Sequence, residues 1–284
     1  MIARRALVSA GLASGVSACS PADLLNATVS DADIAETRDV RYALGDRHTL
    51  DIYRPSFTGG GLPLVVFFYG GGWNSGNKAT YAFVGRPLAR RGAVVVIPDY
   101  RLYPAVRFPS FLDDNAAAVA WAFANASALG ADPARIILVG HSAGAYNAAM
   151  LALDPRWLAA KGVDRARLTG TAGLAGPYNF LPITDPDVIP IFAPVDDGPA
   201  SQPITYVDGH NKPMLLLAGT DDTTVNPRNT LSLAARIRAR GGPVQDKLYP
   251  GVGHIGLITA FAPLFQDRAP VLDDVWSFID ASRA

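Results

Sequence analysis

The chain has 284 residues, of which 49% are hydrophobic and 18% are charged, and its 25 basic residues balance its 25 acidic residues. This composition excludes a disordered chain and supplies enough apolar side chains for one large core. The neutral balance provides no electrostatic attraction to nucleic acid or to an anionic membrane surface, so we expect a small-molecule partner.

The N-terminus has the features of an export signal. Arg4 and Arg5 precede an apolar stretch that ends in small residues before Cys19, the only cysteine of the chain. Residues 1–18 therefore predict a signal peptide, and residues 16–19 resemble a bacterial lipobox, in which the cysteine is lipidated after cleavage. A cleaved signal with an incidental cysteine is the alternative, and the arginine pair leaves Sec and twin-arginine export both open. We expect an exported lipoprotein, periplasmic or attached to the outer membrane.

From residue 38 onward the sequence alternates short apolar runs with helical segments. An antiparallel hairpin is expected at residues 38–54. Buried strands are predicted at 63–69, 93–98, 135–140, 168–174 and 213–219, a last strand at 244–249, and helices at 111–129, 143–153, 227–240 and 270–282. This alternation predicts an α/β fold with a mostly parallel sheet and helices on both faces. We expect one domain over residues 38–284, preceded by a lipidated tether at residues 19–37.

A glycine run follows the first buried strand, in the stretch Y-G-G-G-W at residues 69–73. Backbone N–H groups that converge on one point stabilise negative charge on a reacting carbonyl oxygen, and glycines leave such groups unobstructed. We therefore expect Gly71 and Gly72 to form an oxyanion hole together with the N–H of Ala143. A flexible turn without a chemical role is the alternative.

The stretch G-H-S-A-G at residues 140–144 lies between a predicted strand and a predicted helix. It matches the nucleophile elbow, a sharp turn that exposes a serine oxygen above the carboxyl edge of the sheet. Glycine is needed at Gly140 and Gly144 because the strand and the helix approach each other closely there. Ser142 is therefore the candidate nucleophile, provided that a base and an acid come from neighbouring loops.

The base should be one of four histidines, and position distinguishes them. His254 follows the last predicted strand in the stretch G-V-G-H, from which it can fold over the carboxyl edge of the sheet. His48 lies in the opening hairpin, His141 lies on the elbow itself, and His210 precedes a strand at the other edge. His254 is therefore the candidate base, with a structural histidine as the alternative.

The acid that orients the histidine should follow the penultimate strand. The stretch G-T-D-D-T-T-V at residues 219–225 offers Asp221 and Asp222. The chain order serine, aspartate, histidine agrees with a triad on this type of fold. A solvated turn or a helix cap is the alternative role for either carboxylate, and the residues alone leave the choice between the two open.

Taken in order, the motifs Y-G-G-G-W, P-D-Y-R-L, G-H-S-A-G, G-T-D-D-T-T-V and G-V-G-H resemble those of the α/β-hydrolase superfamily. The resemblance covers roughly residues 38–284 and points to the branch of bacterial carboxylesterases related to hormone-sensitive lipase, feruloyl-esterase-like proteins and kynurenine formamidase. It implies a serine hydrolase that cleaves carboxylic esters without a metal or an organic cofactor. In the family's G-x-x-D-x-x-V pattern the acid stands three residues before the valine, which selects Asp222 because Val225 matches.

The resemblance thus implies a triad of Ser142, Asp222 and His254. Tyr69 departs from the family pattern, which usually has a histidine that supports the glycine loop at this position. Two other functions stay open at this point. The same machinery could cleave an amide such as a formamide, and the domain could be a binding module on an inactive hydrolase scaffold.

Residues 176–213 are expected to cover the active site. A lipase acting at an oil surface would need a long amphipathic helix here as a mobile lid, and the eight prolines of the stretch exclude a continuous helix of that kind. We therefore expect soluble esters with short acyl groups as substrates. The N-terminal segment at residues 22–37 is the alternative cover.

Overall fold

The computed structural model describes residues 21–57, 60–193 and 198–282. The predicted signal peptide and Cys19 lie outside these residues, as do residues 194–197 of the expected cover. Across the described ranges, no helix is both long enough and apolar enough to cross a membrane.

One sheet contains all eight strands of the described residues. The strands are β1 (Ile34–Arg41), β2 (Thr49–Pro55), β3 (Leu62–Phe68), β4 (Val94–Pro98), β5 (Ala131–His141), β6 (Leu168–Leu174), β7 (Met214–Gly219) and β8 (Val244–Tyr249). Their spatial order is β1-β2-β4-β3-β5-β6-β7-β8. The strands β1 and β2 pair antiparallel with each other, β2 pairs antiparallel with β4, and the remaining pairs are parallel. The predicted fold class is therefore confirmed, including the opening hairpin.

The described residues form nine helices, of which those beginning at Ser110, Ala143, Arg228 and Val271 lie at the predicted places. The helices are α1 (Pro21–Thr28), α2 (Ala82–Arg90), α3 (Ser110–Asn125), α4 (Ala143–Leu153), α5 (Pro155–Ala159), α6 (Ile189–Phe192), α7 (Arg228–Ala239), α8 (His254–Thr259) and α9 (Val271–Ala281). Helix α2 was not predicted, because Gly85 and Pro87 interrupt its pattern. Gly85 serves packing there, since a Cβ atom at this position would lie 2.5 Å from the Tyr53 ring.

The central strands are buried on both faces, which explains why they could be predicted as continuous apolar runs. In β3, Val65 and Phe67 point into one core layer, whereas Leu64, Val66 and Phe68 point into the other. All five side chains are fully buried. The sheet is therefore a rigid platform, and the loops at its carboxyl edge start from fixed points.

The N-terminal segment differs from the expected tether at residues 19–37. Strand β1 already begins at Ile34, and Val29 is only 2% exposed within the main core. The side chain of Asn26 accepts a hydrogen bond of 2.9 Å from the backbone N–H of Phe83, in the first turn of α2. Because the first N–H groups of a helix lack partners within it, this contact caps α2 and fastens α1 to the domain.

The residues predicted for the triad and for the oxyanion hole all lie at one edge of the sheet. The glycine run follows β3, the elbow follows β5, and Asp222 follows β7. His254, which was expected in a glycine-rich loop after β8, is the first residue of the short helix α8. These four segments leave the carboxyl ends of parallel strands, which is where open α/β sheets form their sites.

Candidate active site

Ser142 occupies a strained backbone conformation, with φ of 55° and ψ of −124°, at the junction of β5 and α4. Its N–H donates to the carbonyl oxygen of Leu174 at 2.8 Å, which fixes the turn to β6. A Cβ atom at Gly140 would lie 2.3 Å from the carbonyl oxygen of Gly144, and one at Gly144 would lie 2.0 Å from that of Phe68. Both glycines are therefore required by close backbone approach, as expected for an elbow.

The structure brings Ser142, His254 and Asp222 into one hydrogen-bonded row. His254 Nε2 lies 2.9 Å from Ser142 Oγ, and His254 Nδ1 lies 2.8 Å from Asp222 Oδ2. An ionised carboxylate can only accept hydrogen bonds, so the nitrogen that faces it, Nδ1, must carry the ring hydrogen. Nε2 is then free to accept the serine proton. The geometry is that of a nucleophile, a base and an orienting acid.

Asp222 is 5% exposed, and its carboxylate takes part in three hydrogen bonds. Its Oδ1 accepts from the backbone N–H of Thr224 at 2.9 Å and of Val225 at 2.8 Å. Burial acts to raise the pKa of Asp222, but the hydrogen bonds from His254 and from these two N–H groups outweigh it, so its pKa lies below the usual value. Asp221, by contrast, is exposed and accepts from the preceding threonine side chain. In the G-x-x-D-x-x-V motif, the turn from the aspartate to the valine thus holds the acid in place, which explains the spacing between the two residues.

His141, which precedes the nucleophile, contacts the base. Its ring centroid lies 4.8 Å from that of His254, and its Nε2 lies 3.3 Å from the backbone oxygen of His254. Burial and the repulsion between the two imidazoles lower the pKa of His141 to about 3. The side chain is therefore neutral at neutral pH, and its second nitrogen, Nδ1, has no hydrogen-bond partner among the described residues.

The glycine loop is a tight turn with backbone conformations that favour glycine. Gly71 and Gly72 have φ of 126° and 57°, and a Cβ atom at Gly71 would lie 2.3 Å from the Ser75 carbonyl oxygen. Gly72 and Ala143 line the cavity beside Ser142, whereas Gly71 closes the turn behind them. Ala143 begins α4, so its N–H has no partner within the helix and is free for a ligand.

Tyr69 supports the glycine loop from below. Its hydroxyl donates to Asp99 Oδ1 at 2.8 Å and accepts from Arg47 Nη2 at 2.7 Å, and its ring stacks between Tyr81 and Tyr100. The Tyr100 hydroxyl in turn donates to the Tyr69 carbonyl oxygen at 2.8 Å. The P-D-Y-R-L motif therefore holds the loop and lines no part of the cavity beside Ser142. Arg47 was not predicted, because nothing in the hairpin sequence signals this distant contact.

A cavity of about 540 Å³ opens beside Ser142. Its apolar wall is formed by Trp73, Phe180, Leu181, Ile183, Val188 and Val225, and its polar wall by Asn179, Asp185, Asn226 and Arg228. A larger hollow of about 680 Å³ lies at the amino edge of the sheet and contains none of the predicted site residues.

Within the described ranges, no group of three or more histidine, cysteine, aspartate or glutamate side chains could hold a metal ion.

The cavity is covered by the segment between β6 and β7. Its described parts contain the four-residue helix α6 and two short 3-10 turns at Pro199–Ser201 and Pro203–Tyr206. Residues 177–188 contribute much of the cavity wall, whereas residues 22–37 contribute none of its lining among the described residues. Among the described residues, the proline-rich segment therefore forms part of the cavity wall, and the N-terminal alternative does not.

Two family models match separate parts of the chain. The BD-FAE model matches residues 50–167, and the prolyl oligopeptidase family model matches residues 191–280. The first range contains the glycine run and Ser142, and the second contains Asp222 and His254. The two ranges thus divide the candidate site between them.

Curated relatives include several esterases. Isoprenylcysteine alpha-carbonyl methylesterase of Arabidopsis thaliana is 29% identical over 265 residues, which are 86% of this chain and 62% of that protein. Carboxylesterase NlhH of Mycobacterium tuberculosis is 42% identical over 102 residues, which are 36% of this chain and 32% of that protein. The chain therefore spans less than two thirds of the length of either relative.

Solved structures of esterases share the fold. Esterase B of Lactobacillus rhamnosis, inhibited by a tributyrin phosphonate, matches with a TM-score of 0.77 at 21% identity over 91% of this chain and 90% of that one. The thermostable carboxylesterase EstE1 from a metagenomic library matches with a TM-score of 0.77 at 21% identity over 93% of this chain and 94% of that one. At such identities, the similarity establishes the architecture.

Proposed function

We propose that the chain is a serine hydrolase of the carboxylesterase branch of the α/β-hydrolase superfamily, and that it cleaves carboxylic esters of small molecules. One observation carries the proposal. An unbroken row of hydrogen bonds runs from Asp222 through His254 to Ser142, with contacts of 2.8 and 2.9 Å, and ends at the wall of a cavity. Such a row activates a hydroxyl that is otherwise a weak nucleophile.

The first half of the reaction forms an acyl-enzyme. Ser142 Oγ bonds to the ester carbonyl carbon while its proton passes to His254 Nε2, and the carbonyl oxygen takes the negative charge. Backbone N–H groups of the glycine loop and of Ala143 stabilise that oxygen, and Asp222 stabilises the charged imidazole. Collapse of the tetrahedral intermediate breaks the bond to the alcohol, which leaves with the proton from His254.

The second half releases the acid. A water molecule gives its proton to His254 Nε2 and bonds to the acyl carbon, which restores the tetrahedral geometry at the same site. The intermediate then expels Ser142 Oγ, which recovers its proton from the imidazole. The enzyme returns to its starting state, and the products are one carboxylic acid and one alcohol.

The cavity supports a small substrate. Its volume of about 540 Å³ lies in the ordinary range of small-molecule sites, and Trp73 and Phe180 contribute aromatic rings to its apolar side. We therefore propose esters with short acyl groups as the substrate class.

The experiment that tests the proposal compares wild-type protein with Ser142→Ala on matched aryl esters and aryl amides. We expect ester hydrolysis by the wild type, covalent labelling of Ser142 by a fluorophosphonate, and loss of both in the variant. Faster cleavage of amides or formamides would favour the amide alternative. No hydrolysis and no labelling would indicate a binding module instead.

We further propose that the protein is exported and anchored to a membrane through a lipid at Cys19. The proposal is supported by the sequence of residues 1–19, with its arginine pair, its apolar stretch and the small residues before the cysteine. Mass spectrometry of the mature N-terminus after expression in a bacterial host tests it. A diacylated Cys19 is expected, whereas a retained Met1 or an unmodified Cys19 would contradict the lipoprotein.

A further inference from the structure

Trp73 follows the three glycines of the oxyanion loop in an unusual conformation. Its φ is 59°, in the left-handed region that bulky side chains rarely occupy. Its side chain is 3% exposed, yet the residue lines the cavity together with Gly72 and Ser142. Strained residues of this kind persist only where the surrounding structure fixes them, so the contacts of Trp73 determine where the loop stands.

Three sets of contacts fix Trp73. Its indole N–H donates to Asn147 Oδ1 at 3.0 Å, and its carbonyl oxygen accepts from the Tyr103 N–H at 2.8 Å. Its ring packs against four aromatic rings at centroid distances between 4.9 and 6.4 Å, from Phe111, Tyr146, Phe180 and Phe192. The aromatic contacts bury the ring, and the bond to Asn147 fixes the direction of its N–H group.

Asn147 is fully buried on α4, five residues after the nucleophile. Its Nδ2 has no hydrogen-bond partner among the described residues, so within them the bond from Trp73 is the only hydrogen bond of its side chain. An amide buried with one half unsatisfied costs stability relative to an apolar side chain of similar size. The contact to Trp73 is therefore the feature that accounts for a polar residue at this place.

We infer that Asn147 is a positioning residue that sets the oxyanion hole through Trp73. The inference rests on the proposed esterase function. Helix α4 then supports both sides of the hole, because its first residue, Ala143, supplies one donor directly and Asn147 holds the loop that carries Gly72. One rigid helix therefore sets the distance between the two donors. The aromatic cluster keeps water away from the hydrogen bond between Trp73 and Asn147.

The test removes the hydrogen bond from either side. Asn147→Leu removes the acceptor and Trp73→Phe removes the donor, while both keep most of the buried volume. We expect each variant to lose about tenfold to a hundredfold in kcat, because small displacements of donors cost about this much, with KM changed far less. Asn147→Asp keeps the acceptor and is expected to recover most of the activity.

A second measurement reports on the hole itself. A boronic acid bonds to Ser142 and becomes tetrahedral, so its affinity should fall in parallel with kcat/KM in Asn147→Leu and Trp73→Phe. The double variant should be no worse than the more impaired single one, because both remove the same bond. Asn115→Leu is the matched control, since Asn115 is also fully buried and neither atom of its amide has a partner in the described part of the chain.

Wild-type values of kcat and boronate affinity in Asn147→Leu would overturn the inference, even if its Tm fell. Should that variant not fold, Trp73→Phe carries the same test, and unchanged kcat there would overturn the inference as well. Failure of the proposed function has a different outcome, since the wild-type protein itself would then neither hydrolyse esters nor bind the boronate.

Discussion

The hydroxyl of Tyr69 donates a hydrogen bond of 2.8 Å to Oδ1 of Asp99, which also accepts the backbone N–H of Lys78 at 2.8 Å. This contact joins the end of β3 to the end of β4 directly below the glycine loop. The family resemblance places a histidine where this chain has Tyr69. The tyrosine reaches a carboxylate that is 8% exposed, so the loop is supported by a charge-assisted hydrogen bond.

We therefore predict that Tyr69→Phe lowers the free energy of unfolding by about 1 to 3 kcal/mol, because a buried carboxylate loses one of its donors. Activity should fall less than tenfold, since the stacking with neighbouring tyrosines is kept and Asp99 lines no part of the cavity. Urea unfolding and ester hydrolysis measure the two effects. Tyr53→Phe is the control, because the buried Tyr53 hydroxyl has no partner in the described structure; equal destabilisation of both variants would contradict the prediction.

The two adjacent aspartates should differ sharply. Asp222→Asn is expected to lower kcat about 10⁴-fold, because an amide can donate to the imidazole and favour the wrong tautomer. Asp221→Asn should change kcat less than about threefold, since the side chain is exposed and makes no described contact with His254. Steady-state rates on one aryl ester decide the matter, and equal losses would show that the acid has been misassigned.

The free energy of unfolding should decrease as pH falls, because of His141. Burial lowers its pKa from 6.5 to about 3 in the folded state. Between these values the unfolded chain binds a proton that the folded protein does not, so stability is complete above pH 6.5 and decreases as pH falls, by up to about 1.4 kcal/mol per pH unit. The carboxyl of Asp222 acts at lower pH. Because its pKa is lowered in the folded state, the stability that it contributes is lost only as pH falls below about its ordinary value of 3.8.

Urea unfolding at several pH values between 4.5 and 6.5 isolates the histidine. We expect His141→Asn to show a shallower dependence on pH than the wild type, whatever its absolute stability. His210→Asn is the control, because His210 is exposed at the surface. A slope in His141→Asn as steep as that of the wild type would refute the assignment.

The centre of the sheet could be predicted because its strands are buried on both faces, so each appears in the sequence as an apolar run such as Leu64 to Phe68. The elbow could be predicted because close backbone approach demands glycine at fixed positions around Ser142. The acid needed a family pattern, and the structure gives its physical basis in the N–H of Val225, which bonds to Asp222.

The supporting contacts could not be predicted, because they join residues far apart in sequence without a local pattern. Arg47 reaches Tyr69 across the sheet edge, and Trp73 reaches Asn147 across the core. Helix α2 was missed for a related reason. Its glycine is needed for packing against a ring on β2, and that requirement exists only in the folded protein.

The cavity and its cover bear on the length of the acyl group that the site accepts. The cover over the cavity contains no helix longer than the four residues of α6 in its described parts, and prolines at Pro177, Pro182 and Pro186 restrict the chain near the cavity wall. A mobile lid that opens at an oil surface needs a long amphipathic helix with an apolar face to expose. The apolar wall is also bounded by Trp73, which the surrounding aromatic rings hold in place.

We therefore expect kcat/KM on aryl esters to be highest for short acyl chains and to decrease as the chain outgrows the cavity. The rate should follow the concentration of dissolved substrate and show no increase when the ester exceeds its solubility limit. Rates are measured below and above that limit for acyl chains of increasing length, with Ser142→Ala as the blank for spontaneous hydrolysis. Phe180→Ala enlarges the apolar wall and should shift the preference towards longer chains. A jump in rate at the solubility limit, or a maximum at long chains in the wild type, would mean that the cover opens as a lipase lid does.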